Sequence, residues 1–400
     1  MTIKRIIMYP ICKVRDFVLD FRSVYYHSKL RRKKHVGKIR VGFIVQMPEI
    51  WDKEEEIFDR MRIDKRFHVQ MFVCPSYDFV NKTVKHKYDD TFFFDKYHDA
   101  IKLFSNNQWV DLEEYKLDYV FYQRPYDAYL PKNYKSHNVV RFSKICYVPY
   151  AFWPLASDLC GYNREFFRNV YFAFMESAEH CKLISKKKHS GRILYKGYPA
   201  LDHILPEREF DSNSILWTPR WSYDKRVGGS HFFEYKDEII ELKKEQLNLN
   251  IVIRPHPLAF ENYIRLGMMN ESEVEEYKKK TADVGIVFDK NKRIEDSFVD
   301  TGILITDISS IIFPFFLTEK PIIFCKPDVG VSPALKSIMS ALYIANSWDD
   351  VETILRDIKN GNDYLRDERH KIADWFRNDV VDSDKKIIST IINDYNKVMK

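Results

Sequence analysis

The sequence predicts an α/β protein built from two parallel-sheet domains, and three observations carry that prediction. The chain has 400 residues, more than one hydrophobic core usually organises. Short apolar, β-branched runs alternate with longer amphipathic stretches, the pattern of a parallel sheet with helices on both faces. The alternation pauses at the polar, proline-containing "HILPEREFDSNS" and restarts at "ILWTP", which places a domain boundary there. The division is 1–37 for a basic arm, 38–205 for the first α/β domain, 206–375 for the second, and 376–400 for a helix expected to cross back to the first.

The elements follow in order. "KIRVGFIVQ" reads as a strand, "WDKEEEIFDRMR" as an acidic helix and "FHVQMFVC" as a second strand, a βαβ opening. "LDYVFYQRP" and "KICYVPYAF" read as further strands of that sheet, with helical segments between. From Ile215 the order is strand "SILW", helix "FFEYKDEIIELKKEQL", strand "NIVI", helix "ESEVEEYKKK", strand "VGIVF", helix near "RIEDSFV", strand "GILI", a helix, and strand "PIIFC". "DERHKIADWF" and "KKIISTIINDYNKV" are amphipathic helices. No GxGxxG loop occurs, so a dinucleotide fingerprint is absent.

Composition narrows the class. Hydrophobic residues at 45% and charged residues at 30% belong to a folded chain, with many Phe (29) and Tyr (25). Six cysteines without a CxxC pair fit a reducing compartment. We expect a cytoplasmic protein, since no apolar run reaches the roughly 18 to 20 residues of a spanning helix and no signal-peptide core is present. Residues 1–40 hold twelve Lys+Arg against two acidic residues, while the remainder is net −4. A basic arm on a slightly acidic body argues against a nucleic-acid binder.

Within the arm, Ile7, Ile11, Val14, Val18, Phe21 and Tyr25 recur at spacings of four and three, one stripe of a helix opening near Pro10. Arg15 and Arg22 flank the stripe, and "KLRRKKH" adds Arg31, Arg32, Lys33 and Lys34. This pattern suits a helix lying on an anionic membrane surface, at the inner face of the cell membrane. The alternative is a helix packed on the protein's own body with a solvated basic tail.

In open parallel sheets, ligands bind outside the carboxyl ends of the strands. Three strand ends carry suitable residues. In "IVIRPHP", two prolines push Arg254 and His256 out of helical geometry; the guanidinium suits a phosphate, and the imidazole can donate to a phosphoryl oxygen or exchange a proton. In "GILITDISSIIFPFF", Ser309 or Ser310 can cap the following helix, whose free N–H groups would cradle a phosphate; Pro314 should keep that helix short or kinked. In "ILWTPRWSYD" and "KRVGGSHFF", Thr218, Arg220 and the Gly228-Gly229 loop would form a rim containing His231. A capped turn or an ordinary surface loop explains each stretch taken alone.

Together and in order, "GYPALD", "ILWTPRW", "RPHP", "DTGILITDISSIIFPFF" and "KPIIFCKPD", spread over Gly197 to Asp328, resemble the CDP-glycerol glycerophosphotransferase family, which builds teichoic acids and related bacterial surface polymers. The resemblance implies a GT-B fold, two Rossmann-like domains with a cleft between them. It implies that His256 acts in phosphate binding and catalysis, and that Ser309 and Ser310 bind donor phosphate. Arg254, Thr306 and Asp307 come along as motif neighbours, and Gly197, Thr218 and Arg220 as the nucleotide or cleft rim.

The implied donor is CDP-activated and the implied acceptor is a lipid-linked or polymeric glycan. The family's polymerases carry a histidine-glycine motif in the first domain. Here the corresponding "ICYVPYAFWPLASD" has no histidine, which leaves Asp158, His231 or Tyr150 as candidate bases, or glycosyl transfer from a nucleotide sugar as a different reaction. Tyr147, Tyr150 and Trp153 would stack on an acceptor sugar or lie in the core. His180 and His203 have helix-face or surface explanations and receive no role. No metal-ligand spacing is present, so no protein-bound metal is expected, with Mg²⁺ arriving on the donor diphosphate if at all. A non-catalytic membrane-associated binding protein is the reading from another class.

Overall fold

The computed structural model describes residues 3–398 apart from 34–36, 79–80, 87, 89–90, 157–161, 188–189, 226–227, 292 and 328, with backbone alone for 3–13, 85–86 and 398. The chain forms two compact units, Met1–Ala151 with Gly161–Asp202 and Val380–Lys400, and Phe152–Cys160 with His203–Asp379.

The first unit is a seven-stranded parallel sheet. Its strands are β1 (Ile39–Val45), β2 (Phe67–Val73), β3 (Ile101–Lys102), β4 (Tyr119–Tyr122), β5 (Lys144–Tyr147), β6 (Val170–Met175) and β7 (Arg192–Tyr195). They lie in the order β7-β6-β5-β4-β1-β2-β3. The chain builds outward on one side of β1, then returns to build the other side from β4, so the switch in direction falls between β1 and β4. β6, "VYFAFM", is buried at every position, and its unbroken apolar run had no alternation to mark it as a strand in the sequence.

The C-terminal helix (Ser383–Val398) belongs to this first unit. Asp394 anchors it at the amino ends of the strands. Its carboxylate accepts from Tyr119 (2.8 Å) and Tyr171 (3.0 Å), pairs with Lys144 at 2.7 Å, and binds Arg192. Burial alone would raise this carboxyl; Lys144, Tyr119 and Arg192 instead hold it below the ordinary Asp value. The helix thus closes the amino edge of the sheet and leaves the carboxyl edge for function.

Helix α1 (Ile3–Arg32) begins well before Pro10, where the sequence placed its start. The proline inside it costs a backbone hydrogen bond without ending the helix. Its polar side faces the protein. Ser23, His27 and Leu30 are buried, Asp20 meets Arg168 at 2.7 Å and Asp16 meets it at 3.1 Å. His27 Nε2 donates to the Asn169 carbonyl at 3.0 Å, and Nδ1 accepts from Ser190 at 2.9 Å. The opposite stripe is outward, with Val14 at 65%, Val18 at 57%, Phe21 at 69% and Tyr25 at 58% exposure. Arg15 and Arg32 are exposed, whereas Arg22 and Arg31 are used locally, donating to the carbonyls of His137 and Ser190. Burial lowers the Lys33 pKa, and Lys34 lies outside the described residues.

The second unit is a six-stranded parallel sheet made of β8 (Ser214–Thr218), β9 (Asn250–Ile253), β10 (Val287–Phe288), β11 (Ile303–Thr306), β12 (Ile322–Cys325) and β13 (Tyr343–Ala345), in the order β10-β9-β8-β11-β12-β13. The change of direction falls between β8 and β11. The expected helix "FFEYKDEIIELKKEQL" is two helices, Phe232–Tyr235 and Glu238–Glu245, and the helix expected near "RIEDSFV" is a single turn, Glu295–Ser297. Among the described residues, no helix is long and apolar enough to cross a membrane.

Two predictions follow from the first unit. Asp394→Ala strands the buried Lys144 ammonium and should cost about 3–5 kcal/mol, read as a lowered denaturation midpoint. Burial lowers the His27 pKa to about 4; the unfolded chain therefore binds more protons between that value and about 6.5, and stability falls as pH drops through this window. The opening equilibrium of α1, read as hydrogen exchange corrected for the intrinsic rate at each pH, should rise as pH drops through the window in the native chain and stay flat in His27→Gln.

Candidate active site in the second unit

The switch between β8 and β11 is where a doubly wound sheet opens a crevice at its carboxyl edge, and the sequence concentrates its polar residues there. β8 ends at Thr218, and its hydroxyl donates to Thr306 Oγ1 across the β8/β11 pair at 2.7 Å. Thr306 in turn donates to the Asp307 carbonyl at 2.8 Å and is fully buried. Both threonines are thereby committed to holding the two strand ends together. Thr306, expected on the phosphate, and Thr218, expected on the rim, are structural.

Asp307 follows directly and is only 2% exposed. Its carboxylate accepts the Arg220 backbone N–H at 2.8 Å and lies 2.5 Å from His231 Nδ1. Backbone N–H of His231 and the Ser230 hydroxyl approach it at 3.3–3.4 Å. A carboxylate so enclosed cannot meet a phosphate, and its role is to fix the loop after β8 against the loop after β11. It also sets the His231 tautomer. With Nδ1 donating to Asp307, the neutral ring presents Nε2 as an acceptor. His231 stacks on Tyr235 with centroids 5.2 Å apart and borders a cavity of about 170 Å³ lined also by Lys225, Glu234, Lys326 and Asn346.

Gly228 explains the close approach of this loop. Its φ is +110°, and a Cβ there would lie 2.4 Å from Ile308 Cγ2, so only glycine lets the backbone pass. Arg220 spans the same junction. Its NH1 donates to the Ile308 carbonyl, and its own carbonyl accepts from Tyr263 at 2.6 Å.

The Arg-Pro-His-Pro corner follows β9, the neighbour of β8 on the other side. His256 Nδ1 accepts the Leu258 N–H at 3.2 Å, so the neutral ring carries its proton on Nε2 and can donate. Surrounding protein and then the Arg220 guanidinium lower its pKa to about 4, although the ring edge remains open to solvent. Arg254 has a different partner from the one expected. Its NH1 is held by Asp289 at 2.6 Å and the Asn291 carbonyl at 2.8 Å, so it braces the corner. Ser309 and Ser310 are half-buried, directly after the Ile308 carbonyl that Arg220 binds, but neither caps the helix. That helix is Ile312–Phe316 with Ile311 at its N-cap and no side-chain cap, and Ser309 Oγ instead faces the Ile311 N–H at 3.5 Å. Pro314 lies within this five-residue helix, short as expected.

Four other expectations resolve elsewhere. Gly197 is in the first unit, with φ +86° and a Cβ that would meet the Val380 carbonyl at 2.2 Å; its smallness serves chain packing, not a nucleotide rim. Tyr147 is a fully buried residue of β5, not part of an open loop. Tyr150 is half-buried, its hydroxyl 3.1 Å from that of Tyr126. Trp153 lies in a segment of the second unit, where Ser332 N–H donates to the Pro154 carbonyl at 2.7 Å and Phe152 stacks on Phe313 at 4.0 Å. The aromatic stretch read as one acceptor loop is therefore shared between units. Asp158 lies outside the described residues.

Two groupings were not visible in the sequence. His231, Asp307 and Cys325 have donor atoms within 4.8 Å of one another, brought together by strands β11 and β12; the Asp307 oxygen is already taken by His231, so this is a hydrogen-bonded pair beside a buried thiol. His180, assigned nothing, sits with Nδ1 2.6 Å from the Glu176 carboxylate. Their spacing of four across a helix start was the available signal, but both are buried, and the pair belongs to the core.

Two doubly wound parallel sheets, each with its reversal of strand order at the carboxyl edge, are the architecture of the GT-B class. A family model described as CDP-Glycerol:Poly(glycerophosphate) glycerophosphotransferase matches residues 177–377, half of the chain, and the chain belongs to that family. It is 31% identical over 185 residues to the teichoic acid poly(glycerol phosphate) polymerase of Bacillus spizizenii, covering 44% of this chain and 42% of that protein. The chain thus matches less than half the length of that relative. Among solved structures, a UDP-GlcNAc 2-epimerase from Neisseria meningitidis bound to UDP-GlcNAc has a TM-score of 0.58 at 12% identity, covering 88% of this chain and all of the other. The wall teichoic acid polymerase TagF soaked with CDPG has a TM-score of 0.56 at 15% identity, covering 100% of both chains. At such identities these likenesses show the fold.

His256 yields a direct prediction. Each phosphorus of a P1,P2-disubstituted diphosphate such as CDP-glycerol carries one ionised oxygen, so if such a ligand docks against Nε2 it should raise the His256 pKa and take up a proton at about pH 5.5. Calorimetry in buffers of different ionisation enthalpy should show this uptake in the native chain and lose it in His256→Ala.

Proposed function

We propose that this protein transfers glycerol phosphate, or a related polyol phosphate, from a CDP-linked donor to a lipid-linked or polymeric glycan acceptor in bacterial surface-polymer synthesis. The observation that carries this reading is the family match across the second unit, which includes every donor-side group at the β8/β11 switch. An acceptor hydroxyl attacks the distal phosphorus, the new O–P bond forms, and the P–O bond to the nucleotide breaks with its electron pair leaving on CMP. His256 Nε2 donates to a phosphoryl oxygen as charge builds, Arg220 supplies positive potential beside it, and Ser309 and Ser310 offer hydroxyl donors. Such groups act mainly by positioning and charge stabilisation. His231, oriented by Asp307 with Nε2 as acceptor, is a candidate for the proton leaving the acceptor. A Mg²⁺ ion would belong to the donor diphosphate.

The same reading places the protein at the inner membrane surface. Support comes from α1, which docks through Asp16, Asp20, Ser23 and His27 and turns Val14, Val18, Phe21 and Tyr25 outward. An apolar stripe facing away from its own protein, with basic residues at the helix end, favours an anionic bilayer.

Binding and turnover with CDP-glycerol, CDP-ribitol, UDP-sugars and GDP-sugars test the donor class; a preference for a sugar nucleotide would replace glycerol phosphate with a sugar. His256→Ala should reduce turnover at least about tenfold, roughly 1.4 kcal/mol of barrier. Co-sedimentation with vesicles containing anionic lipid should fall sharply when Val18 and Phe21 are changed to Asp, and equal binding would remove the membrane assignment.

A further inference from the structure

Each unit has one Arg-Pro corner beyond a buried strand. Arg254-Pro255 follows β9 directly, and Arg124-Pro125 follows β4 after one intervening residue, Gln123. In both, the proline biases the arginine toward extended backbone and presents its side chain stiffly at the carboxyl edge of a parallel sheet. The two arginines differ in counter-charge. Arg254 meets the Asp289 carboxylate at 2.6 Å. Arg124 has no ion pair among the described residues: its NH2 donates to the neutral Gln46 amide oxygen at 2.8 Å, and its guanidinium lies over the Tyr129 ring, 4.8 Å from the centroid. Burial pulls its pKa down, with only tyrosines and a cysteine among the groups opposing that effect. A cation withdrawn from water without an anion is unfavourable, and an incoming anion would relieve the imbalance.

The surroundings are those of a built site. Arg124 stands at the β1/β4 switch of the first unit, where a sheet of this topology opens its crevice. The Gln123 side chain locks the two strand exits together, accepting from the N–H groups of Gln46 and Met47 at 2.6 and 3.0 Å and donating to the Met47 carbonyl at 3.0 Å. Tyr129 is 40% exposed, so the guanidinium is reachable past its ring. The paired hydroxyls of Tyr126 and Tyr150 add donors on the same edge.

We infer that Arg124, with Tyr126, Tyr129 and Tyr150, binds a phosphate ester of the acceptor, the phosphate-bearing end of the chain being extended. The planar guanidinium matches two phosphoryl oxygens at once, and the tyrosines supply hydroxyls and a ring face for the attached polyol. This rests on the transfer reading for the acceptor's identity, while the ester-binding site itself is a property of the first unit alone.

The test is calorimetric binding of glycerol 3-phosphate, inorganic phosphate and CDP-glycerol, each added alone to the full chain and to Arg124→Gln, Arg124→Lys and Tyr129→Leu. The native chain should bind glycerol 3-phosphate more tightly than inorganic phosphate. Arg124→Gln should weaken the ester at least about tenfold with CDP-glycerol binding unchanged, and Arg124→Lys should fall between. If Arg124→Gln melts early, the lysine and leucine variants decide. The inference is overturned if glycerol 3-phosphate does not bind the native chain, if its affinity survives in Arg124→Gln, if inorganic phosphate binds equally well, or if CDP-glycerol binding falls in parallel. Failure of CDP-glycerol to bind the native chain would instead overturn the transfer reading, with the glycerol 3-phosphate comparison still deciding the Arg124 site.

Discussion

Asp307 is the constraint around which the second unit's site is arranged. A buried carboxylate needs donors on nearly every side, and the chain provides them from one loop far from Asp307 in sequence: the backbone of Arg220 and His231 and the side chains of His231 and Ser230. Satisfying one charge therefore fixes the loop after β8 to the loop after β11, sets the imidazole tautomer of His231, and brings Arg220 to the position from which it adds to the effect of burial in lowering the His256 pKa. Gly228 is the steric counterpart, since the loop can reach Asp307 only where no Cβ meets Ile308.

The first unit uses the same kind of device with a neutral side chain. Gln123 ties β1 to β4 at their carboxyl ends as Asp307 ties β8 to β11, and each tie lies at a reversal of strand order. The opposite edge of the first sheet is treated differently. There Asp394 joins Lys144, Tyr119, Tyr171 and Arg192 into a buried network that seals the strand starts beneath the C-terminal helix. One edge is filled by the protein's own charges, and the other retains a guanidinium with no ion pair among the described residues.

Helix α1 shows how far an amphipathic pattern reaches. The spacing of Val14, Val18, Phe21 and Tyr25 identified a stripe, and the stripe exists. Which way it faces was settled by Arg168, Asn169 and Ser190, whose polar groups suit Asp16, Asp20, Ser23 and His27. Periodicity defines a face, while the chemistry of the surface beneath decides whether that face turns in or out.

The sequence by itself determined the alternating α/β plan, the second unit's strands, and the positions where arginine, histidine, serine and proline collect at strand ends, because each is written in local periodicity and backbone restriction. It also carried the ordered motifs of the family. Only the tertiary structure decided which of those polar residues stay available. Thr218, Thr306, Asp307 and Arg254 are taken by partners tens of residues away, Tyr147 is enclosed by its sheet, and Arg124 meets no carboxylate among the described residues. Hydrogen-bond and charge satisfaction are settled by neighbours in space, so a residue's type shows what it can do and its long-range partners fix what it has left to offer.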